Sequence, residues 1–194
     1  MDVKYADETD LYLELEKARG LSKQIKREHI KHLEISQLLQ GDFGVKEITK
    51  YIKDKETNRQ CKKFGYSFEI VNNSGFKREI KLIFVDYLGF TRSTYNKYAE
   101  RVFMILYLLR NTSDHCSQTL NIYCYMTPFK KLLPESRSVV LSSAHINTGV
   151  TYQCIKNNDI CVYRHEEWFK VLIHELFHAH GVDMGITFTP KHFY

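Results

Sequence analysis

The chain has 194 residues, of which 43% are hydrophobic, and this fits one domain of ordinary size with enough apolar side chains for a buried core. The richest apolar run, residues 102–109, falls well short of the roughly 20 residues that a membrane-spanning helix needs. The net charge of +5 resides in residues 61–194, because residues 1–60 hold twelve basic and twelve acidic side chains. This bias is too mild to indicate a nucleic-acid-binding surface, so we expect neither a membrane nor a nucleic acid as partner.

The five cysteines stand at positions 61, 116, 124, 154 and 161, without a CxxC pair. Their odd number and irregular spacing argue against a disulfide framework and against a structural zinc knuckle. We therefore expect all five to be reduced and mostly buried, as in an intracellular protein of the cytoplasm. The N-terminus begins Met-Asp-Val-Lys-Tyr-Ala and lacks the basic and apolar segments of a secretion signal, which favours the same location.

Residues 1–58 are rich in Glu, Lys, Leu and Ile and are predicted to form a helical N-terminal region. Ser22 is a suitable N-cap for a helix that runs to about Gln40, and apolar residues over 45–52 indicate another helix. Two interpretations are open for this region. It is either a helical layer packed on the rest of the protein, which we favour for a chain this short, or a regulatory or partner-docking piece.

After Arg59 the pattern changes, and alternating apolar residues predict a β-hairpin over residues 64–86 with its turn at 72–75. The elements predicted beyond it are a helix over 94–110, a strand around 120–124, short strands near 139–142, 149–154 and 160–163 with a turn over 156–159, and a helix at about 165–180. This order predicts an α+β domain over residues 59–194, with a small mixed sheet, one buried backing helix and a last, C-terminal helix.

The last predicted helix carries His174-Glu175-Leu-Phe-His178, an HExxH motif followed by Gly181, a suitable C′ residue. Residues four apart lie on one face of a helix, so His174 and His178 can reach a single metal ion. Imidazole is a good zinc ligand, and a glutamate beside the first ligand can act as general base on a water. The apolar residues around the motif indicate a helix packed on a core. The alternative is a half-buried helix whose histidines only form hydrogen bonds.

The stretch from 166 to 183 resembles the zincin metallopeptidases, and the chain is also similar to uncharacterised putative metallopeptidases of large DNA viruses of eukaryotes. The second likeness extends upstream through Leu141–Thr151 and Val162–Phe169, and together the likeness covers about residues 117–185. The resemblance implies a zincin-like fold and an intracellular zinc peptidase, in the second case one acting in an infected cell. It implies zinc as cofactor and a peptide or protein as substrate, without specifying which.

The third zinc ligand is the open question of the predicted site. A glutamate on a following helix is excluded because residues 182–194 contain none, and the position at which the metzincin branch places a ligand is Met184. Asp183 is the first choice, since a carboxylate oxygen is a normal zinc ligand. His192 is second and His180 third, because a residue two positions after His178 points away from the pair. A ligand beyond the given sequence is a further alternative.

A stabiliser for the developing oxyanion is sought among four residues near the motif: His145, Tyr152, Tyr163 and Tyr194. We take His145 as the first choice, against the simpler interpretation of a plain loop residue. Residues 147–151 are predicted to be a rim strand that pairs with an extended substrate. A zinc peptidase is the first functional hypothesis, and a catalytically inactive, zincin-like interaction module is the alternative. Nucleic-acid binding through the +5 charge of residues 61–194 is a third, weaker hypothesis, which would require a steep dependence on salt. The sequence leaves the oligomeric state open.

Overall fold

The computed structural model of the chain describes residues 8–23, 25–27, 31–33, 61–128, 130, 136 and 149–185. Within these ranges one mixed sheet of seven strands forms the centre of the molecule. The strands are β1 (Lys26–Arg27), β2 (Lys31–Leu33), β3 (Cys61–Val71), β4 (Lys77–Asp86), β5 (Thr119–Met126), β6 (Gly149–Thr151) and β7 (Asn157–Val162). The helices are α1 (Glu8–Ser22), α2 (Arg92–Leu108) and α3 (Trp168–Ala179).

The strand order is β1-β3-β4-β5-β7-β6, and β2 also pairs with the outer edge of β3. The β4–β5 and β5–β7 pairs are parallel, whereas all the other pairs are antiparallel. Parallel neighbours need a crossover, and α2 supplies it between β4 and β5. The α+β class with a small mixed sheet is therefore confirmed. The short strand β6 lies at the far edge of the described sheet and runs antiparallel to β7.

The predicted hairpin is confirmed as β3 and β4, which pair in a continuous register from Lys62↔Asp86 to Val71↔Lys77. Its turn is built by Asn72, whose side-chain oxygen accepts from the N–H groups of Ser74 and Phe76. Gly75 adopts φ +86°, which glycine takes at little cost. The side chain of Asn72 thus accepts hydrogen bonds from backbone N–H groups of the turn, and this is the physical reason why asparagine predicts a turn here.

The main core lies on one face of the sheet, and both α2 and α3 pack there. From α2 the buried residues are Tyr95, Ala99, Val102, Phe103 and Leu106, and from α3 they are Trp168, Leu172, Leu176 and Ala179. The two helices touch through Tyr98 and Trp168, whose ring centroids are 4.8 Å apart. The opposite face of the sheet carries a second buried cluster of aromatic and small apolar side chains, which includes Tyr125 and Tyr163. The predicted backing helix therefore shares its face of the sheet with the helix of the HExxH motif.

The prediction of a helix from Ser22 to Gln40 is wrong. Ser22 is the last residue of α1, where its hydroxyl donates to the carbonyl of Arg19, and strand residues follow at 26–27 and 31–33. The edge of β3 offers hydrogen bonds to these segments, and such tertiary contacts override a weak helical preference. The predicted helix over 45–52 and the division at residues 58 and 59 lie outside the described residues, so that division stays a prediction.

The other predicted elements are found with shifted ends, since α2 covers 92–108, β5 covers 119–126 and α3 covers 168–179. The turn predicted over 156–159 is wrong, because β7 already begins at Asn157. Asn158 is buried there, and its side chain donates to the carbonyl of Tyr152 at 2.7 Å. The strand predicted near 139–142 lies outside the described residues. None of the helices in the described ranges is long and apolar enough to cross a membrane.

The expectation that every cysteine is reduced is wrong for one pair, because Cys116 and Cys154 form a disulfide across 38 positions of sequence. Cys61, Cys124 and Cys161 are buried, as expected, and lie outside the disulfide. The pairing depends on how the loop before β5 meets the loop after β6, and cysteine spacing alone carries no information about such a contact. The intracellular location stays a prediction.

Candidate metal and catalytic site

The HExxH motif lies in the middle of α3, whose rotation is set by its apolar stripe. Trp168, Leu172 and Leu176 are spaced four residues apart and are buried against the sheet. His174 is two positions after Leu172, and such a step turns the side-chain direction by about 200° around the helix axis. His174 is therefore directed outward, and it is exposed, whereas His178 is half-buried.

The two histidines present the same ring nitrogen to each other. The Nε2 atoms of His174 and His178 lie 3.0 Å apart, with the ring planes at 88°. Ligands that sit about 2.0–2.1 Å from a tetrahedral zinc are about 3.3 Å from one another, so the pair is close to the spacing that one zinc ion requires. The same separation also suits a hydrogen bond between the two rings.

Asp183 contacts the other nitrogen of His178, since its Oδ2 atom lies against Nδ1. A carboxylate only accepts, so Nδ1 carries the proton and the lone pair of the neutral ring is at Nε2, which faces His174. Carboxylates often hold a metal-binding histidine in this way. The second oxygen of Asp183, Oδ1, is buried and has no hydrogen-bond partner among the described residues. The geometry thus places Asp183 behind His178, and its predicted role as a ligand stays a prediction.

Glu175 points from α3 towards the edge strand β6. It is only 8% exposed, and burial raises the pKa of its carboxyl above the usual value, while His174 and His178 act in the opposite direction. The contact with β6 requires a glycine. A Cβ atom on Gly149 would lie 2.7 Å from Cγ1 of Val171 and 3.0 Å from Oε1 of Glu175. Gly149 therefore lets β6 lie directly against the carboxylate.

The carboxyl end of α3 is held by long-range partners. Gly181 adopts φ +66° and donates its N–H to the carbonyl of His178, which confirms it as the residue that ends the helix. The N–H of Cys154 donates to the same carbonyl at 3.1 Å. The hydroxyl of Ser117 donates to the carbonyl of Ala179 at 2.8 Å. Groups at the end of a helix otherwise lack partners, and here two distant loops supply them.

His180 is buried at this end of the helix, and its Nδ1 atom lies 2.9 Å from the carbonyl of Leu176. The expectation that it points away from the histidine pair is confirmed, and its partner is the last turn of the helix. Burial lowers the pKa of His180 to about 4, with a further contribution from Arg78 in the same direction. His180 is therefore neutral in the folded protein near neutral pH.

The remaining residues of the predicted site are distributed differently. His145, His192 and Tyr194 lie outside the described residues, so their predicted roles stay predictions. Tyr152 follows β6 and is exposed, whereas Tyr163 is buried on the sheet face opposite α3 and stacks on Tyr125. Sequence analysis missed the contact of Gly149 with Glu175, although a glycine within a predicted strand is itself a signal of close backbone approach.

The described residues fit a metal ion in part. Two imidazole nitrogens converge at nearly the separation that zinc requires, and the orphaned oxygen of Asp183 is nearby. Across the described ranges, however, no group of three or more His, Cys, Asp or Glu side chains converges in a way that could hold a metal. Zinc binding by His174 and His178 therefore stays a prediction.

Comparison with known proteins identifies no relative: no family model, no curated protein and no solved structure matches this chain.

The lowered pKa of His180 predicts a pH-dependent stability. A histidine whose folded pKa lies below its unfolded value stabilises the protein above about pH 6.5, and this stability is lost as pH falls towards 4. We expect the free energy of unfolding of the metal-free protein to fall by about 3 kcal/mol from this group between pH 7 and 4. Chemical denaturation at a series of pH values measures it.

The variant His180→Gln removes this contribution, so its stability should vary less steeply over the same pH range, although it starts lower at pH 7. His115→Gln, at an exposed position, is the matched control and should follow the wild-type curve. Parallel curves for wild type and His180→Gln would contradict the assignment.

Proposed function

We propose that the protein is a zinc-dependent peptidase whose zinc is held by His174 and His178 and whose general base is Glu175. The single observation that carries the proposal is the 3.0 Å approach of the two Nε2 atoms on the helix face next to a buried glutamate. A zinc ion bound there would supply the Lewis acidity that makes a water reactive near neutral pH and polarises a peptide carbonyl. The resemblance of the motif to the zincins supports the same conclusion.

In this proposal each residue of the chain has one task. Asp183 keeps the Nδ1 proton on His178 and so leaves Nε2 as the donor atom. Glu175 takes a proton from the attacking water on a carboxylate oxygen and passes it to the leaving amine. Burial raises the pKa of this carboxyl, and a base with a pKa closer to the working pH is the more effective one.

The proposed substrate is a peptide in extended conformation that lies along β6. This strand is the last one of the described sheet on that side, and it touches the candidate base through Gly149. An edge strand can add another strand through its main chain, which fixes a peptide without regard to most of its side chains. A bond of such a peptide would pass close to Glu175.

Zinc binding and peptide cleavage should separate in single variants. We expect one zinc per wild-type chain, no tight zinc in His174→Ala or His178→Ala, and full zinc in Glu175→Gln. Cleavage of a peptide library should fall by at least about 100-fold in Glu175→Gln, the usual contribution of a general base. His115→Ala is the control and should keep both properties. Stoichiometric zinc in the double variant of His174 and His178 would rule out the site.

The role of Asp183 is decided by how much zinc affinity its removal costs. If it positions His178, Asp183→Ala should lower the affinity by about 10- to 100-fold, the range found for groups behind a metal ligand. Asp183→Asn should lose less, because an amide oxygen still accepts from Nδ1–H. Competition with a chromophoric chelator measures both, with Asp10→Ala as an exposed control. A loss as large as that of His178→Ala would instead make Asp183 the third ligand.

Gly149→Ala tests the contact of β6 with the proposed base. The added methyl group meets the stiff side chain of Val171 and the carboxylate of Glu175, so one of them must move. We expect kcat to fall by about 10- to 100-fold, because small displacements of a catalytic group have effects of this size. Zinc affinity should stay within about twofold.

Gly20→Ala is the control for the Gly149 variant, since a Cβ at Gly20 meets nothing within 4 Å. An unchanged kcat in folded Gly149→Ala would show that the contact has no part in catalysis.

A second candidate function is an interaction module that keeps the scaffold without turnover. The approach of the two Nε2 atoms also favours this function, because His174, His178 and Asp183 form a chain of hydrogen bonds that needs no metal ion. In that case Glu175→Gln would leave every measurable property except stability unchanged. At pH 7 the metal-free variant would be more stable, since it removes a buried carboxyl whose ionised form burial disfavours.

A further inference from the structure

The disulfide is attached to the helix that carries the proposed zinc ligands. Cys154 donates its N–H to the carbonyl of His178 at 3.1 Å, and Ser117, the neighbour of Cys116, donates its hydroxyl to the carbonyl of Ala179 at 2.8 Å. Each half of the disulfide therefore lies within one residue of a hydrogen bond to the last turn of α3. The bond joins two segments that hold His178 in place.

The same disulfide also restricts the movement of the edge strand β6. Cys154 follows Thr151, the last residue of β6, by three positions, and Gly149 of this strand contacts Glu175. The loop after β6 is also fastened to the segment before β5, because Ser117 donates its N–H to the carbonyl of Ile155 at 2.8 Å. Both the proposed ligand and the proposed base are thus connected to one sulfur–sulfur bond.

The bond is open to a reductant on one side only. Cys116 is fully buried, whereas Cys154 is partly exposed in a loop with exposed Tyr152, Gln153 and Ile155. Buried Arg78 donates Nε–H to the carbonyl of Cys116 at 3.4 Å, so a positive charge lies beside the backbone of the residue whose sulfur would leave. A nearby guanidinium favours a thiolate.

The other cysteines do not share this environment. Cys61, Cys124 and Cys161 are buried and outside the disulfide, and burial raises the pKa of the Cys61 thiol to about 11 and that of Cys124 further. Thiols of this kind are inert. Thiol chemistry is therefore directed to the Cys116–Cys154 pair.

We propose that the Cys116–Cys154 disulfide is a redox switch of the candidate site, operated by a dithiol reductant, with the oxidised form as the zinc-binding form. This inference rests on the proposed function. A thiolate of the reductant attacks Sγ of Cys154, and Cys116 leaves as a thiolate that takes up a proton. The second thiol of the reductant then attacks its own mixed-disulfide sulfur and releases Cys154 as a thiol. Two protein thiols and one oxidised reductant result, so the two electrons balance.

Reduction removes the covalent link and leaves only single hydrogen bonds on the loop after β6. The N–H of Cys154 is then held less firmly against the His178 carbonyl, and the segment after β6 loses its covalent anchor. We expect a more mobile last turn of α3 and a more mobile edge strand. Ligand pairs bind a metal tightly only when their geometry is fixed in advance, so zinc affinity should fall.

The test compares the full-length oxidised protein with Cys116→Ala/Cys154→Ala, which mimics the reduced form without a reductant that would chelate zinc. Zinc competition should give at least a tenfold weaker affinity for the double variant. Cys61→Ala, which leaves the disulfide intact, is the matched control and should bind like wild type. Amide hydrogen exchange of metal-free protein is the second measurement, on the double variant and on wild type reduced with dithiothreitol.

In both reduced forms we expect exchange at position 154 and at Gly181 to rise at least tenfold, while the middle of β4 is unchanged. Equal zinc affinity together with unchanged local exchange would overturn the switch and leave the zinc site intact. If neither form binds zinc, the proposed function fails, and the exchange data alone decide whether the disulfide controls this helix end. Two free thiols at 116 and 154 in protein isolated without reductant and exposed to air would also overturn the proposal.

Discussion

Burial of one apolar stripe of α3 fixes the geometry on which the candidate site depends. Trp168, Leu172 and Leu176 pack on the sheet, and each such side chain contributes roughly 1.5–3 kcal/mol when fully buried. The stripe therefore determines the rotation of the helix, and the carboxyl of Glu175 is taken out of water as a consequence. His174 and His178 are then directed to the open side, and Glu175 is directed to β6.

Hydrogen bonds at its C-terminal end also hold α3 in position. The last carbonyls of α3 receive hydrogen bonds from Gly181, Cys154, Ser117 and His180, and all four lie outside the helix as bounded by Trp168–Ala179. Asp183 is close enough to reach His178 because Gly181 reverses the chain in a left-handed conformation. The position of one imidazole is therefore determined from the helix, from the segment after it and from two loops of the sheet.

Periodicity predicted those parts of the fold that depend on local contacts. The hairpin of β3 and β4, the helix α2 and the HExxH helix each have an apolar pattern that extends over several turns or pairs. The strands at 26–27 and 31–33 were missed because their pairing partner is the edge of β3, 28 to 41 positions away in the sequence. Asn158 was placed in a turn because asparagine favours turns, although here its side chain is buried and joins two loops.

The candidate site was predictable in its centre and not in its surroundings. His174, Glu175 and His178 follow from helical spacing alone, and so does the outward direction of the pair relative to His180. The contact of Asp183 with Nδ1 of His178 depends on the turn after the helix, which spacing does not describe. Likewise, Cys116 and Cys154 meet only because β5 and β7 are adjacent parallel strands, an arrangement that no local pattern contains.

The order of elements also bears on how the molecule acquires its structure. β6, β7 and α3 follow one another within residues 149–185, so the strand that touches Glu175, its partner strand and the helix itself form contacts over short loops. Closing short loops is fast, and contacts between sequence neighbours are made early in folding. The parallel pairing of β5 with β7 and the attachment to residues 116 and 117 require a much longer closure. The helix that carries the histidine pair therefore closes its contacts with β6 and β7 over shorter loops than those that the β5–β7 pairing requires.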